Sequence, residues 1–165
     1  SFRARRVVLA MGRRGTPRRL GIPGEELSKV FYDVAEMATF AGRKVLVVGG
    51  GDSAIESALG LANQPGTRVT LCHRGDSFGR AKDRNRSKLE AAVRAGKVEL
   101  LLNARPSAIT RTGVEIEVEG RLVTVSNDDV IVRVGGDPPY PFLQRIGVRM
   151  VKKDVPSKQA EASIA

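Results

Sequence analysis

Between Lys44 and Leu102 the chain alternates short apolar runs with longer stretches in which apolar residues return every three or four positions. Lys44 to Val48 is β-branched and aliphatic, and predicts a strand buried on both faces. From about Ser53 to Asn63, the residues Ala54, Ile55, Ala58, Leu59 and Ala62 share one face of a helix. Asn63 to Thr67, with Pro65 and Gly66, reads as a turn, and Arg68 to Cys72 predicts the next strand. Strand, helix, strand is a βαβ unit. The polar stretch Gly75 to Arg86 leads into a helix near Ser87 to Ala95, striped by Leu89, Ala92 and Val93 and stopped by Gly96. Val98 to Leu102 predicts a further strand.

Outside this segment the pattern changes. Val7 to Ala10 is a short apolar run ending at Met11-Gly12, read as a buried strand, and Gly15 to Glu26 carries the glycines and prolines of a loop. Asp33 to Phe40 predicts a short helix capped by Asp33, with Glu36 as capping-box partner and Gly42 beyond its end. After Leu102 the period becomes two: Val114, Ile116 and Val118 alternate with Glu115, Glu117 and Glu119, and Leu122 to Val125 returns after Gly120. That is a hairpin with one wet face. Val130 to Val134 restores an apolar strand, ending at Gly135-Gly136 before Pro138-Pro139. Lys152 to Ala165 is small and polar, and reads as a frayed tail. The expected fold is α/β and Rossmann-like: a parallel sheet with helices on both faces, plus a small antiparallel hairpin sheet.

Composition narrows what such a fold can do. At 165 residues, 41% hydrophobic and 28% charged, the chain suits one folded globular domain. No apolar run approaches the roughly 20 residues of a membrane helix, and no signal-peptide core follows the basic start. No membrane partner is expected, and the chain reads as cytoplasmic. It begins at Ser1 and enters an apolar segment almost at once, as if cut from something longer whose partner domain lies elsewhere. Cys72 has no cysteine to pair with, and the lone His73 leaves no cluster with zinc spacing.

A net charge of +10 raises the question of nucleic acid. The early arginines (Arg3, Arg5, Arg6, Arg13, Arg14, Arg18, Arg19) are interrupted by the apolar Val7 to Gly12, unlike a basic arm. Two Tyr, five Phe and no Trp give few stacking platforms. Nucleic-acid binding is disfavoured.

The chemistry concentrates at one turn. Gly49, Gly51 and Ala54 have Gly-x-Gly-x-x-Ala spacing between a strand and a helix. Gly49 allows the tight turn, Gly51 lets the backbone approach a pyrophosphate, and Ala54 lets helix and strand pack closely. The helix start adds free N–H groups and partial positive charge. No Gly-Lys-Ser/Thr follows, so this is not a Walker A loop. About twenty residues on, where a site for NAD places an acid, the strand ends in Cys72, His73, Arg74. Arg74 with Arg80 can clamp a 2′-phosphate; Asp76 keeps NAD open. His73 reads either as a contact to the adenosine end or as a structural residue, and Cys72 as a small buried apolar one.

These features in this order resemble the FAD-dependent pyridine nucleotide-disulfide oxidoreductases, especially the thioredoxin-reductase-like and bacillithiol-disulfide-reductase-like branch. The segment Val47-Val48-Gly49-Gly50-Gly51-Asp52-Ser53-Ala54 resembles the family's NADPH turn. His73-Arg74 with Arg80 is similar to its His-Arg-Arg-x-x-x-Arg clamp, and Ile131 to Gly136 followed by Pro138 to the segment that closes the nucleotide site. Val7 to Gly12 and Gly21-Ile22-Pro23-Gly24-Glu25 look like the handover from a flavin domain. The resemblance therefore implies three segments: 1–26 as remnant and linker of a flavin-binding domain, 27–150 as the NAD(P)-binding domain, and 151–165 as a flexible tail. The implied cofactor-binding residues are Gly49, Gly50, Gly51, Asp52, Ser53, Ala54, His73, Arg74, Arg80, Gly135 and Gly136.

The chain departs from the family in several places. Gly75 replaces the clamp's second arginine, Arg80 comes one residue late, and the thioredoxin reductase Cys-x-x-Cys is replaced by Val34-Ala35-Glu36-Met37. The flavin-binding Gly-x-Gly-x-x-Gly and the Gly-Asp segment are absent. The implied role is to bind NADP(H) or NAD(H) and present it to FAD on a missing domain of the parent protein, the electron acceptor being open. No residue is assigned to catalysis or metal binding. The alternative is a non-catalytic nucleotide-sensing or regulatory module.

Overall fold

In a computed structural model the structure describes residues 3–6, 8 and 16–149. The predicted strand Val7 to Ala10 lies outside them except for Val8, which is exposed and in no strand. The predicted tail also lies outside. The chain divides into two compact units, one of residues 17–136 and one of residues 1–16 with 137–165. The short strands Thr16–Pro17 (β1) and Gly136–Asp137 (β10) mark the divisions. The described part of the smaller unit holds one helix, Tyr140–Arg145 (α3), with Tyr140 and Phe142 exposed.

The larger unit is built on a five-stranded parallel sheet. Its strands are Val30–Phe31 (β2), Lys44–Gly49 (β3), Arg68–Cys72 (β4), Val98–Leu101 (β5) and Asp129–Arg133 (β9), in the order β2-β9-β3-β4-β5. Helices Asp52–Ala62 (α1) and Asp83–Arg94 (α2) are the crossovers from β3 to β4 and from β4 to β5. Five of the six β3 residues are buried, as the unbroken apolar run requires.

Residue parity decides what each face meets. Val45, Val47, Val69, Leu71 and Ile131 point to one face and pack with Ile55, Ala58 and Leu61 of α1 and Leu89 of α2. Leu46, Val48, Cys72, Val130 and Val132 point to the other and pack with Ala104, Ile109, Val114 and Ile116. Fully burying each such aliphatic side chain stabilises by roughly 1.5–3 kcal/mol. Both helices thus share one face. The second face, for which the sequence predicts a helix, is covered instead by an antiparallel sheet.

That sheet has three strands, Ala104–Ile109 (β6), Gly113–Val118 (β7) and Arg121–Ser126 (β8), one more than the predicted hairpin. β6 hides from a period-two reading because a bulge between Pro106 and Ala108 breaks its alternation. The β7–β8 turn is Glu119-Gly120, both with positive φ, the conformation that suits a two-residue hairpin.

Two further differences have local causes. The predicted helix 33–40 is only a 3₁₀ turn, Met37–Phe40, with Glu36 at its cap position and no side-chain capping bond. The Asp33 carboxylate instead meets the Val34 N–H and the Arg133 guanidinium. α2 starts at Asp83, four residues before the predicted Ser87, because its first turn is polar and is anchored by hydrogen bonds rather than by apolar packing.

The floor of the sheet is tied by charge. Arg43 makes a two-pronged pair with the buried Asp129, and Asp128 accepts the Lys44 N–H at 2.7 Å. On the other side of β9, the buried Glu25 accepts hydrogen bonds from the N–H groups of Leu20 and Gly21 and from the Tyr32 hydroxyl. Burial acts to raise the Glu25 pKa, but these bonds and the nearby Arg19 outweigh it and hold the carboxyl below 4.5. A group depressed in this way stabilises the fold above its unfolded pKa, and that stability is lost as pH falls through the folded value. Glu25→Gln is therefore expected to cost about 1–2 kcal/mol at pH 7 and to converge on wild type as pH falls below the folded pKa of Glu25, in thermal melts across a pH series. Parallel pH profiles would refute this role.

Candidate functional site

The strand order reverses at β3: the βαβ chain runs one way to β4 and β5, while β9 returns on the other side of β3. The carboxyl ends of two neighbouring parallel strands whose connections leave in opposite directions form an open crevice, the usual ligand position in such sheets. Gly49 sits there, in register with Arg133.

The three glycines of the turn do different things. A Cβ on Gly49 would lie 2.5 Å from the Arg133 carbonyl oxygen and 2.7 Å from the Ala54 Cβ, so Gly49 and Ala54 let strand and helix close together. A Cβ on Gly50 would lie 2.0 Å from the His73 ring. A Cβ added at Gly51 would meet nothing within 4 Å, so that side of its backbone faces open space. α1 follows without a side-chain cap; the Ala54 N–H donates to the Gly51 carbonyl at 3.0 Å, while the N–H groups of Asp52 and Ser53 have no intrahelical partner. Ser53 is exposed and Ala54 buried.

The loop after β4 folds back against this turn. The His73 N–H donates to the Leu101 carbonyl at 2.8 Å, and its ring stacks on Phe78 with centroids 4.7 Å apart. Its Nε2 lies 3.0 Å from the Ser77 carbonyl oxygen. One face and one ring nitrogen of His73 are thus engaged within the protein. Arg74 and Arg80 are exposed on the same loop. Gly135, with φ of 97°, follows Arg133 by two residues, and its carbonyl accepts the Arg18 N–H at 3.0 Å. Gly136 begins β10. Cys72 is fully buried, and burial pushes its thiol up to about 12, so it stays protonated at neutral pH.

Asp52 is placed differently from its neighbours. Its Oδ1 accepts the Lys82 N–H at 3.0 Å and the Asn85 side-chain amide at 2.7 Å. The Lys82 bond, then the Asn85 bond, holds this carboxyl below its usual range. Asn85 and Arg133 were not selected as site residues from the sequence. Asn85 continues the Leu89 and Ala92 stripe one turn earlier, a polar residue in a core position, and that signal was available. Arg133 donates to the Tyr32 carbonyl at 2.9 Å and to the Ser57 hydroxyl at 3.2 Å at the edge of the crevice, and no spacing marks it. A cavity of about 640 Å³ lies on the other side of the loop, lined by Phe78, Leu89, Val93, Leu100 and Leu102. None of the turn glycines lines it.

Fold and glycine turn are those of a Rossmann-like α/β domain. The sequence family described as pyridine nucleotide-disulphide oxidoreductase matches residues 1–163, and the chain belongs to it. It is 39% identical over 156 residues to a ferredoxin–NADP reductase of Ignicoccus hospitalis, covering 90% of this chain and 49% of that protein. It is 34% identical over 148 residues to the bacilliredoxin reductase Bdr of Bacillus subtilis, covering 88% and 45%. Among solved structures, the bacillithiol disulfide reductase of Bacillus cereus superposes with a TM-score of 0.74 at 32% identity, over 80% of this chain and 41% of that one. The chain thus spans about half the length of the curated relatives it matches.

Proposed function

We propose that this chain binds NAD(P)H and presents it for hydride transfer to a flavin, as the pyridine-nucleotide-binding part of an FAD-dependent oxidoreductase. The observation that carries this reading is the open space where a Gly51 side chain would stand, set between a strand end and a helix start with no side-chain cap where the strand order reverses. A pyrophosphate fits there because only backbone N–H groups and a helix dipole need approach it. Gly49, Gly50, Gly51, Ser53 and Ala54 form this cradle. Arg74 and Arg80 take the adenosine 2′-phosphate, His73 supports their loop, and Gly135 and Gly136 close the far side. The nicotinamide and flavin supply the redox chemistry when bound; the residues of this chain orient the nucleotide. FAD sits on a flavin-binding domain of the parent protein, which the relatives' greater length accommodates.

Calorimetric titration with NADPH and NADH tests this. Arg74→Ala is expected to weaken NADPH binding by about tenfold, the loss of a charge-assisted phosphate contact, and to leave NADH nearly unchanged. Equal losses for both nucleotides would remove Arg74 from the phosphate clamp, and failure of the wild type to bind either would overturn the function itself.

A further inference from the structure

The residues on either side of Gly51 both grip the loop that carries the arginines. On one side Gly50 leaves the space that the His73 ring fills, and His73 in turn stacks on Phe78 within the loop. On the other, Asp52 receives the backbone N–H of Lys82, the last residue of the loop before α2. Asn85, only 3% exposed, reinforces this second grip: its amide donates at 2.7 Å to Asp52 and at 3.0 Å to Glu56, one turn further along α1. Arg74 and Arg80 lie between the two attachments.

A carboxylate in the first turn of α1 favours the helix but opposes an anionic ligand approaching the same N–H groups. Asp52 is thus a poor ligand for a pyrophosphate. Its hydrogen bonds give it another task. We infer that Asp52 is a positioning residue, holding the Lys82 end of the loop so that Arg74 and Arg80 stand where a 2′-phosphate binds, and so sets the preference for NADPH over NADH. This rests on the reading that the chain binds NAD(P)H, and it takes Asp52 out of the direct cofactor contacts that the sequence resemblance implies.

The two roles predict opposite patterns. If Asp52 positions the clamp, Asp52→Ala should weaken NADPH by about tenfold, the worth of a misplaced charged contact, while NADH binding stays the same or tightens slightly as a negative charge leaves the helix start. Asp52→Asn keeps an Oδ1 that can accept the Lys82 N–H, so it should restore most of the NADPH preference. A residue with a merely structural role would alter both nucleotides together. Titration of the 165-residue chain and its variants with NADPH and with NADH, alongside thermal melts, reads the ratio directly. Should Asp52→Ala fail to fold, Asn85→Leu, which extends the apolar stripe while removing one donor, must show the same NADPH-selective loss.

Equal losses for the two nucleotides would overturn the inference and leave the proposed function standing. So would equal gains, an Asp52→Asn variant that behaves like Asp52→Ala, or a wild type with no NADPH preference. A wild type that binds neither nucleotide would overturn both.

Discussion

Gly51→Asp should leave the fold as stable as wild type and lower nucleotide affinity on the order of 100-fold. No atom lies within 4 Å of a Cβ added at Gly51, and the residue is extended, with φ of −108°, so a side chain is accommodated without strain. What the carboxylate spoils is the space a phosphate needs. Juxtaposing like charges costs several kcal/mol, and about 3 kcal/mol corresponds to that loss of affinity. Thermal melting together with calorimetry separates the two effects. Unchanged binding with the fold intact would mean that the turn holds no pyrophosphate.

Two residues earlier the same kind of change should do the reverse. Gly49→Val is expected to destabilise the fold by about 3 kcal/mol, because its Cβ meets a backbone carbonyl on β9 at 2.5 Å and the Ala54 Cβ at 2.7 Å. Neither can rotate away. β3 would have to move from β9 or α1 from β3, and the crevice would open at its base. Urea unfolding should register the loss even without nucleotide, and a variant as stable as wild type would show that the strand and helix have slack that the packing does not suggest. Two glycines of one turn thus separate into a packing residue and one beside open space.

Part of that separation was legible in the sequence, where the spacing assigned the tight turn to Gly49, close packing to Ala54 and backbone access to Gly51; that Gly49 is itself a packing position emerges only from its contacts with β9 and Ala54. The strands β3, β4 and β9 and the helix α1 were also readable, since each is an apolar run or stripe with one period. What the sequence concealed had physical reasons. Strand β6 contains Pro106 and a bulge, so its alternation fails. α2 begins with a polar turn whose partners, Asp52 and Glu56, lie on another helix, and no local pattern encodes a contact made 29 to 33 residues away. Asp33 has the residue type and spacing of a helix cap but is drawn to Arg133, a hundred residues on. The resemblance that named Asp52 among the cofactor contacts could not show that its hydrogen bonds run to α2.

The pairing of β3 with β9 also bears on how the site comes into being. Hydrogen bonds at the base of this pair join residues 84 and 86 positions apart, so the two walls of the crevice are brought together only after most of the chain is in place. Contacts of such long range repay their loop-closure entropy late in folding. β3, α1 and β4 can associate early as a local unit, but that unit carries only one wall. On the proposed reading, a nucleotide captured between the two walls would report on the finished domain, and its binding energy would stabilise the long-range pairing of β3 with β9, by about 2.7 kcal/mol when the ligand stands at a hundred times its Kd.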